Sequence, residues 1–306
     1  SFHLNLGFEV YCREKALKEV VHDCNPGVTK RLTENFSVIW APGLTNRVLG
    51  EELYRHFLDG YTLAYSCDYS RFDSTVTSHA LKFEERFLCS VGNWTDSFAE
   101  SFIKAHFVTV GRSGCGVYFK CEGVRKSGDP QTTTGNTLIC IVICARAAQQ
   151  LNRAFGNLDM IAVVAGDDLL FLVKNTDYSV DDLNVLGPKA EDHIADVLVE
   201  NAAQHGMKLK IKIARKFVDW DFISTHPLPA MADMEPTWVM TPTLGKCLPK
   251  LFYATTPHDT LQKQADFLVC EAKTILSVAG HHPIISMFCK LILELYPRSL
   301  AEAREL

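Results

Sequence analysis

Two short apolar runs, 161–165 and 169–173, flank the polar triplet Gly166-Asp167-Asp168. Each run is one strand long and the triplet consists of turn formers, which predicts a β-hairpin over 158–173 with adjacent carboxylates at its tip. Residues 207–213 alternate strictly between apolar residues and lysine, which predicts a strand with Lys208, Lys210 and Lys212 on one face. Shorter strand-like runs occur at 36–40, 61–65, 220–224 and 238–240. A further pair, 107–110 and 116–120, surrounds a Gly-Arg-Ser-Gly turn. Helical spacing covers 1–24, 47–58, about 73–88, 136–148 and 188–205, and most of the chain from His258 onward, with breaks at Gly280 and Pro283. Asp68 then falls where a strand ends. Asp73 falls near a helix start, where it or Ser74 can cap. No repeat, low-complexity linker or clean domain boundary interrupts the pattern.

Composition narrows this only slightly. The chain has 306 residues, 47% hydrophobic and 22% charged, as in an ordinary globular protein. No apolar run reaches the roughly 18 residues of a membrane span, and no signal peptide is evident. Residue 1 is Ser rather than Met, so a piece of a longer chain is expected. The 11 cysteines include no Cys-x-x-Cys pair. Cys140 and Cys144 read as core, Cys12, His22 and Cys24 lack a fourth zinc ligand, and reduced thiols are the better reading. The net charge of −5 argues at first against a polyanionic partner. Its distribution reverses that argument. Seven acidic residues and one lysine lie within 175–202, leaving the remainder close to neutral, and 208–216 carries five basic residues.

Candidate chemistry begins at the hairpin tip. Adjacent carboxylates repel each other, and a divalent cation, which prefers oxygen ligands, would offset that repulsion. Asp68, at a strand end, is suited to face such a tip and complete a three-aspartate cluster able to hold two ions about 3.5–4 Å apart. An exposed turn with surface carboxylates is the plainer alternative. Ser127-Gly128-Asp129-Pro130-Gln131-Thr132-Thr133-Thr134-Gly135-Asn136 feeds an apolar helix and is either a donor-rich edge for phosphate or sugar, or an ordinary cap. Asn136, polar at the head of a buried helix, needs a partner, and Asp73 would serve. Arg112, Lys120, Arg125 and Lys126 are either a solvated face or phosphate contacts. The three strand lysines either protect a sheet edge or contact phosphate.

In order and spacing, Asp68-x4-Asp73, Ser127-Gly128-x3-Thr132-x3-Asn136 and Gly166-Asp167-Asp168 resemble motifs A, B and C of viral RNA-dependent RNA polymerases. Residues 206–210 resemble motif D and 221–224 motif E. Trp238 to Pro242 with Lys246 looks like the segment that follows in positive-strand RNA viruses of tombusvirus-like and nodavirus-like type. The resemblance covers roughly 28–250.

It implies an α+β right-hand polymerase: an antiparallel palm sheet backed by helices, with partial fingers and a helical thumb. Residues 1–60 would be partial fingers, 61–225 palm with a fingers insertion at about 80–125, and 226–306 thumb. It implies template-directed RNA synthesis in viral genome replication and transcription, with two Mg2+ ions, or Mn2+, held by Asp68, Asp167 and Asp168. Asp73 and Asn136 would read the ribose 2′-hydroxyl, and Ser127, Gly128 and Thr132 would adjust around template and nucleotide. Lys210 would protonate the leaving pyrophosphate, although Lys208 and Lys212 face the same way. The basic motif F is missing from 37–43, which leaves Lys30, Arg31 and Arg47 as triphosphate contacts. Implied partners are template and product RNA, ribonucleoside triphosphates and other viral replication proteins. The implied location is the host cytoplasm, at membrane-associated replication sites reached through segments outside this chain. A reverse transcriptase, a metal-dependent nuclease and a non-enzymatic RNA-binding module are the competing readings. The first is disfavoured by Asp73 with Asn136, the second does not need the Ser-Gly-x3-Thr-x3-Asn loop, and the third does not need three aspartates.

Overall fold

The structure is a computed structural model, and it describes residues 28–91, 107–129, 131–156, 158–174, 188–232, 234–254 and 259–297. The helix expected over 1–24, the Cys12, His22 and Cys24 group, and the acidic stretch 175–187 lie outside the described residues. Two compact units are drawn from the chain, one from Ser1–Gly43 and Leu58–Arg215, the other from Leu44–Phe57 and Lys216–Leu306. Among the described residues, no helix is long and apolar enough to cross a membrane.

In chain order the elements are strands β1 (Thr29–Thr33) and β2 (Phe36–Trp40), helix α1 (Asn46–Leu58) and strand β3 (Leu63–Tyr69). The one-turn helix α2 (Phe72–Thr75), helix α3 (Ser78–Val91) and strands β4 (Val108–Arg112) and β5 (Tyr118–Glu122) come next. Helix α4 (Thr132–Phe155), strands β6 (Met160–Ala165) and β7 (Asp168–Val173), helix α5 (Pro188–Gln204) and strand β8 (Leu209–Ala214) complete the first unit. The second unit contains α1, a 3-10 turn at Phe217–Asp219, strands β9 (Thr225–Ala232) and β10 (Glu235–Pro242), and helices α6 (Leu244–Phe252), α7 (Leu261–Ala279) and α8 (Pro283–Leu295).

The first unit is built on a six-stranded sheet in the order β1-β2-β6-β7-β3-β8. Its neighbours are antiparallel except β2 and β6, which run parallel. Alternation sends Tyr65, Cys67, Tyr69, Leu169, Phe171, Ala162 and Val164 to the face covered by α4 and α5, where they join Cys140, Ile143, Cys144, Leu151, Val197 and Leu198 in one core. The opposite face of β6 and β7, with Ile161, Val163, Leu170 and Leu172, is buried as well. Burial on both faces is why these strands read as unbroken apolar runs rather than as alternation. β8 is an edge strand, and its alternation survives: Leu209 is buried while Lys210 and Lys212 are exposed.

Several boundaries differ from the sequence expectation for physical reasons. β3 runs on to Tyr69, so Asp68 lies one residue inside its end. Neither Asp73 nor Ser74 caps a long helix. Arg71 takes a left-handed conformation (φ 55°), Asp73 sits within α2, and extended Val76 separates α2 from α3. The Ser74 hydroxyl instead donates back to the Arg71 carbonyl, 2.8 Å. The buried helix starts four residues early, at Thr132. Trp220–Ser224 is not a strand: a 3-10 turn precedes it, Ile223 and Ser224 are left-handed (φ 55° and 54°), and only Phe222 makes an isolated bridge, to Thr225. Aromatic packing dictates this path. Phe217 lies 5.0 Å from both Trp220 and Trp238, ring centre to ring centre, and Tyr54 of α1 lies 5.2 Å from Trp238. The rest of the second unit packs α6, α7 and α8 around Leu251, Ala272, Ile275, Ile285 and Cys289.

Candidate active site

The hairpin forms as predicted, with Ala165 opposite Asp168 and Gly166-Asp167 as its two-residue loop. Gly166 has φ 66°, whereas Asp167 is not among the positive-φ residues. A positive φ at the first central position only is the type II′ pattern, which matches strand twist and favours glycine there. The turn is also tied from outside. The Gly166 amide donates to the hydroxyl of buried Thr137, 2.7 Å, and that hydroxyl donates to the Thr133 carbonyl one helical turn back, 2.7 Å. Helix α4 therefore fixes the height of the turn. Nothing in the residue pattern of Thr137 suggested this, because a threonine after Asn136 reads as one more helix position.

Sheet register assembles the acidic groups. The pairing of Cys67 with Leu169 sets Asp68 beside Asp168, on the sheet face away from α4 and α5. On its other side Asp68 is the register partner of Lys210, and Ser66 that of Lys212. Among the three lysines, Lys210 thus lies directly across from Asp68. Lys208 lies beyond the end of β8, where its carbonyl accepts from the Ser70 amide, 2.9 Å. Asp167 is exposed at the tip, yet partial desolvation raises its pKa above the ordinary aspartate value, and the charges of Asp73 and Asp68 raise it further. The carboxylates are therefore close enough to repel one another. Among the described residues no group of three His, Cys, Asp or Glu side chains is gathered tightly enough to hold a metal ion. The donor set still fits a hard divalent cation: all-oxygen ligands on adjacent strands, with mutual repulsion that a cation relieves.

The expected partner of Asn136 is confirmed. Its Nδ2 donates to Asp73 Oδ1 at 2.8 Å. Its Oδ1 accepts from Arg125 Nε at 3.0 Å. Arg125 is neither a solvated charge nor a phosphate contact: it is buried, and its guanidinium grips Glu84 on α3, Nη1 to Oε1 at 3.0 Å and Nη2 to Oε2. Arg112 and Lys120 remain on the β4–β5 hairpin, where Lys120 pairs with Glu122 at 2.8 Å. Ser127 and Gly128 are exposed in the loop before α4, and Gly128 has φ 91°. That loop is ordered by the Thr132 hydroxyl, which donates to the Lys126 carbonyl at 3.1 Å. Arg47 belongs to the second unit, on α1, and pairs with Glu51 at 2.9 Å, which also accepts from Thr237 at 2.6 Å.

The sequence profile of a family described as viral RNA-dependent RNA polymerase matches residues 41–299. Among solved structures, an insertion-loop deletion mutant of the RNA-dependent RNA polymerase of a human picobirnavirus is similar with a TM-score of 0.62 and 13% identity. The match covers 83% of this chain and 47% of that one, so the chain spans about half the length of the polymerase it resembles. At that identity the likeness concerns the fold. A search among curated protein sequences gives no match.

Proposed function

Because this chain belongs to the viral RNA-dependent RNA polymerase family, we propose that it carries the palm-centred part of an enzyme that extends RNA on an RNA template. The observation that carries the reading is the sheet register, which brings Asp68 and the closely following Asp73 from one part of the chain to the Asp167-Asp168 hairpin tip from another. In this reading β3, β6, β7 and β8 with α4 and α5 are the palm, and β1 and β2, expected in the fingers by sequence, extend the same sheet through the β2–β6 pairing; the β4–β5 hairpin and α3 belong to a fingers insertion, and α6, α7 and α8 are thumb.

Asp68, Asp167 and Asp168 would hold two Mg2+ ions. When bound, such ions supply positive charge to the attacking and leaving oxygens of an in-line phosphoryl transfer. The chain's own groups do the remainder. Thr137 keeps the Asp167 turn at a fixed height, so the acidic groups are positioned before substrate arrives. Lys210, the register partner of Asp68 on the edge strand, would give a proton to the departing pyrophosphate. Asp73 and Asn136 present a carboxylate and an amide to the ribose 2′-hydroxyl, which distinguishes ribonucleotides from deoxyribonucleotides. Ser127 and Gly128, on the exposed loop, border the template and incoming nucleotide, with Thr132 anchoring that loop. Arg47, which pairs with Glu51 on α1, is a candidate triphosphate contact in this reading.

The test is primer extension with a primed RNA template, Mg2+ and four ribonucleoside triphosphates, using the complete polymerase. Extension is expected, and Asp167→Ala should abolish it while RNA binding survives. Cleavage of the RNA without extension would transfer the site to a nuclease.

A further inference from the structure

The Asn136 amide lies between a group that can only donate and one that can only accept. A guanidinium has no acceptor and an ionised carboxylate no donor, so Oδ1 must face Arg125 and Nδ2 must face Asp73. Turning the amide over would place donor against donor and acceptor against acceptor. Arg125 cannot swing to allow this, because its two terminal nitrogens are both committed to Glu84. The Glu84 and Arg125 side chains are 2% and 1% exposed, so neither charge has water as a substitute partner. Room for them comes from Gly135, where a Cβ would overlap both Arg125 Nη2 and Glu84 Oε2. Asp73 Oδ1 is thereby occupied, while Oδ2 takes no hydrogen bond among the described residues.

We infer that the Glu84–Arg125 pair is a positioning device for sugar selection: it locks the Asn136 amide onto Asp73 Oδ1 and leaves Oδ2 as the acceptor for a ribose 2′-hydroxyl. The substrate feature it enforces is the 2′-hydroxyl itself, because a deoxyribose offers Asp73 Oδ2 no donor. The inference rests on the proposed reading of Asp73 and Asn136 as the sugar contacts. It assigns ribose selectivity in part to two residues that touch no nucleotide and come from α3 and from the segment before α4.

The experiment compares ATP with 2′-deoxy-ATP on the complete polymerase bound to primed RNA. It uses equilibrium binding by calorimetry as well as kcat and KM for incorporation. Glu84→Leu with Arg125→Met removes both charges together, so neither is left buried alone. We expect about a tenfold loss of ribose preference, the scale of one hydrogen bond. The loss should fall on the affinity and KM for ATP, with those for 2′-deoxy-ATP unchanged. Asn136→Ala should lose a similar factor, and combining it with the double variant should cost nothing more, because the residues act as one chain. Arg125→Lys keeps the buried charge but cannot serve both Glu84 oxygens and the amide from one fork. It should lie between wild type and the double variant, and it carries the test if the double variant does not fold. Wild-type preference in either folded variant, or additive losses with Asn136→Ala, overturns the inference. If Asn136→Ala itself keeps wild-type preference, the sugar-reading proposal fails instead, which is a separate outcome.

Discussion

Within the first unit, two carboxylates are treated in opposite ways. Glu84 is sealed inside and matched by an arginine that meets both its oxygens. Asp167 stands at a hairpin tip, and the charges that act on it, Asp73 and Asp68, share its own sign. The fold can supply an internal cation where an acid needs one, as it does for Glu84. Leaving Asp167 among like charges keeps coordination capacity for something from outside, and it costs stability that the Glu84 pair does not. In the proposed reading the first carboxylate serves the fold and, through Asn136, substrate choice, and the second serves the chemistry.

Removing each carboxylate should therefore fail differently, and the largest effect belongs to Asp167. Asp167→Ala should lower primer extension on the order of 10³-fold or more, the scale of losing a group that stabilises transition-state charge. Its unfolding midpoint in urea should not fall. If the variant instead loses its fold along with its activity, the two carboxylates do not differ in the manner described.

Glu84→Ala tests the opposite arm. It leaves the Arg125 guanidinium buried and unpaired, which costs about 3–5 kcal/mol. Urea unfolding should show that loss directly. Replacing both residues by Leu and Met should recover most of it, because a buried pair is close to neutral against apolar groups of similar volume. No recovery in the double variant would mean that the pair contributes more than mutual neutralisation.

Thr137→Val tests the link between the two regions, since Thr137 lies one residue beyond Asn136 on α4 and holds the Asp167 turn. The substitution keeps shape and removes the acceptor for the buried Gly166 amide, at about 1–3 kcal/mol. Activity should fall with the apparent Mg2+ requirement rising, and Thr137→Ser should restore both. An unchanged Mg2+ titration would reduce Thr137 to a packing role.

The unequal legibility of the two regions has the same physical origin. The hairpin announced itself because apolar run length and turn chemistry are local properties. The Asn136–Asp73 bond was also within reach, since a polar side chain heading a buried helix must find a partner. Glu84 and Arg125 gave no such signal. In Lys82-Phe-Glu-Glu-Arg86 one glutamate looks like another, yet Glu84 is buried and Glu85 is not. Arg125, beside Lys126 and the Ser-Gly loop, looks like a phosphate grip. Only a contact spanning 41 residues of chain decides otherwise. The early start of α4 was hidden for a related reason. Thr132-Thr-Thr-Gly-Asn136 has the composition of a loop, but the buried polar groups Asn136 and Thr137 are satisfied by partners from other elements, so the helix can begin there. At Trp220–Ser224 the apolar pattern suggested a strand, and packing against Phe217 and Phe57 bends the backbone instead.

The smallest expected effect, and the one that most sharpens the contrast, is the pH and cation response of Asp167→Asn. The folded-state pKa of Asp167 is raised by desolvation first, and then by Asp73 and Asp68. A raised carboxylate binds its proton more tightly when folded, so its ionised form detracts from stability above that pKa, and the loss disappears as pH falls below the unfolded value near about 3.9. Asp167→Asn should therefore be slightly more stable than wild type at pH 7, with the two melting temperatures converging toward pH 3. Millimolar Mg2+ or Mn2+ should reverse the order at pH 7. A cation that binds only the folded state stabilises wild type by mass action, and a neutral amide in place of the Asp167 carboxylate is a weaker ligand. Glu84→Gln should show no such reversal, since its partner is Arg125 rather than an ion. Melting curves that order the Asp167 variant below wild type without added cation would place a compensating charge beside Asp167, and the distinction between the two carboxylates would be lost.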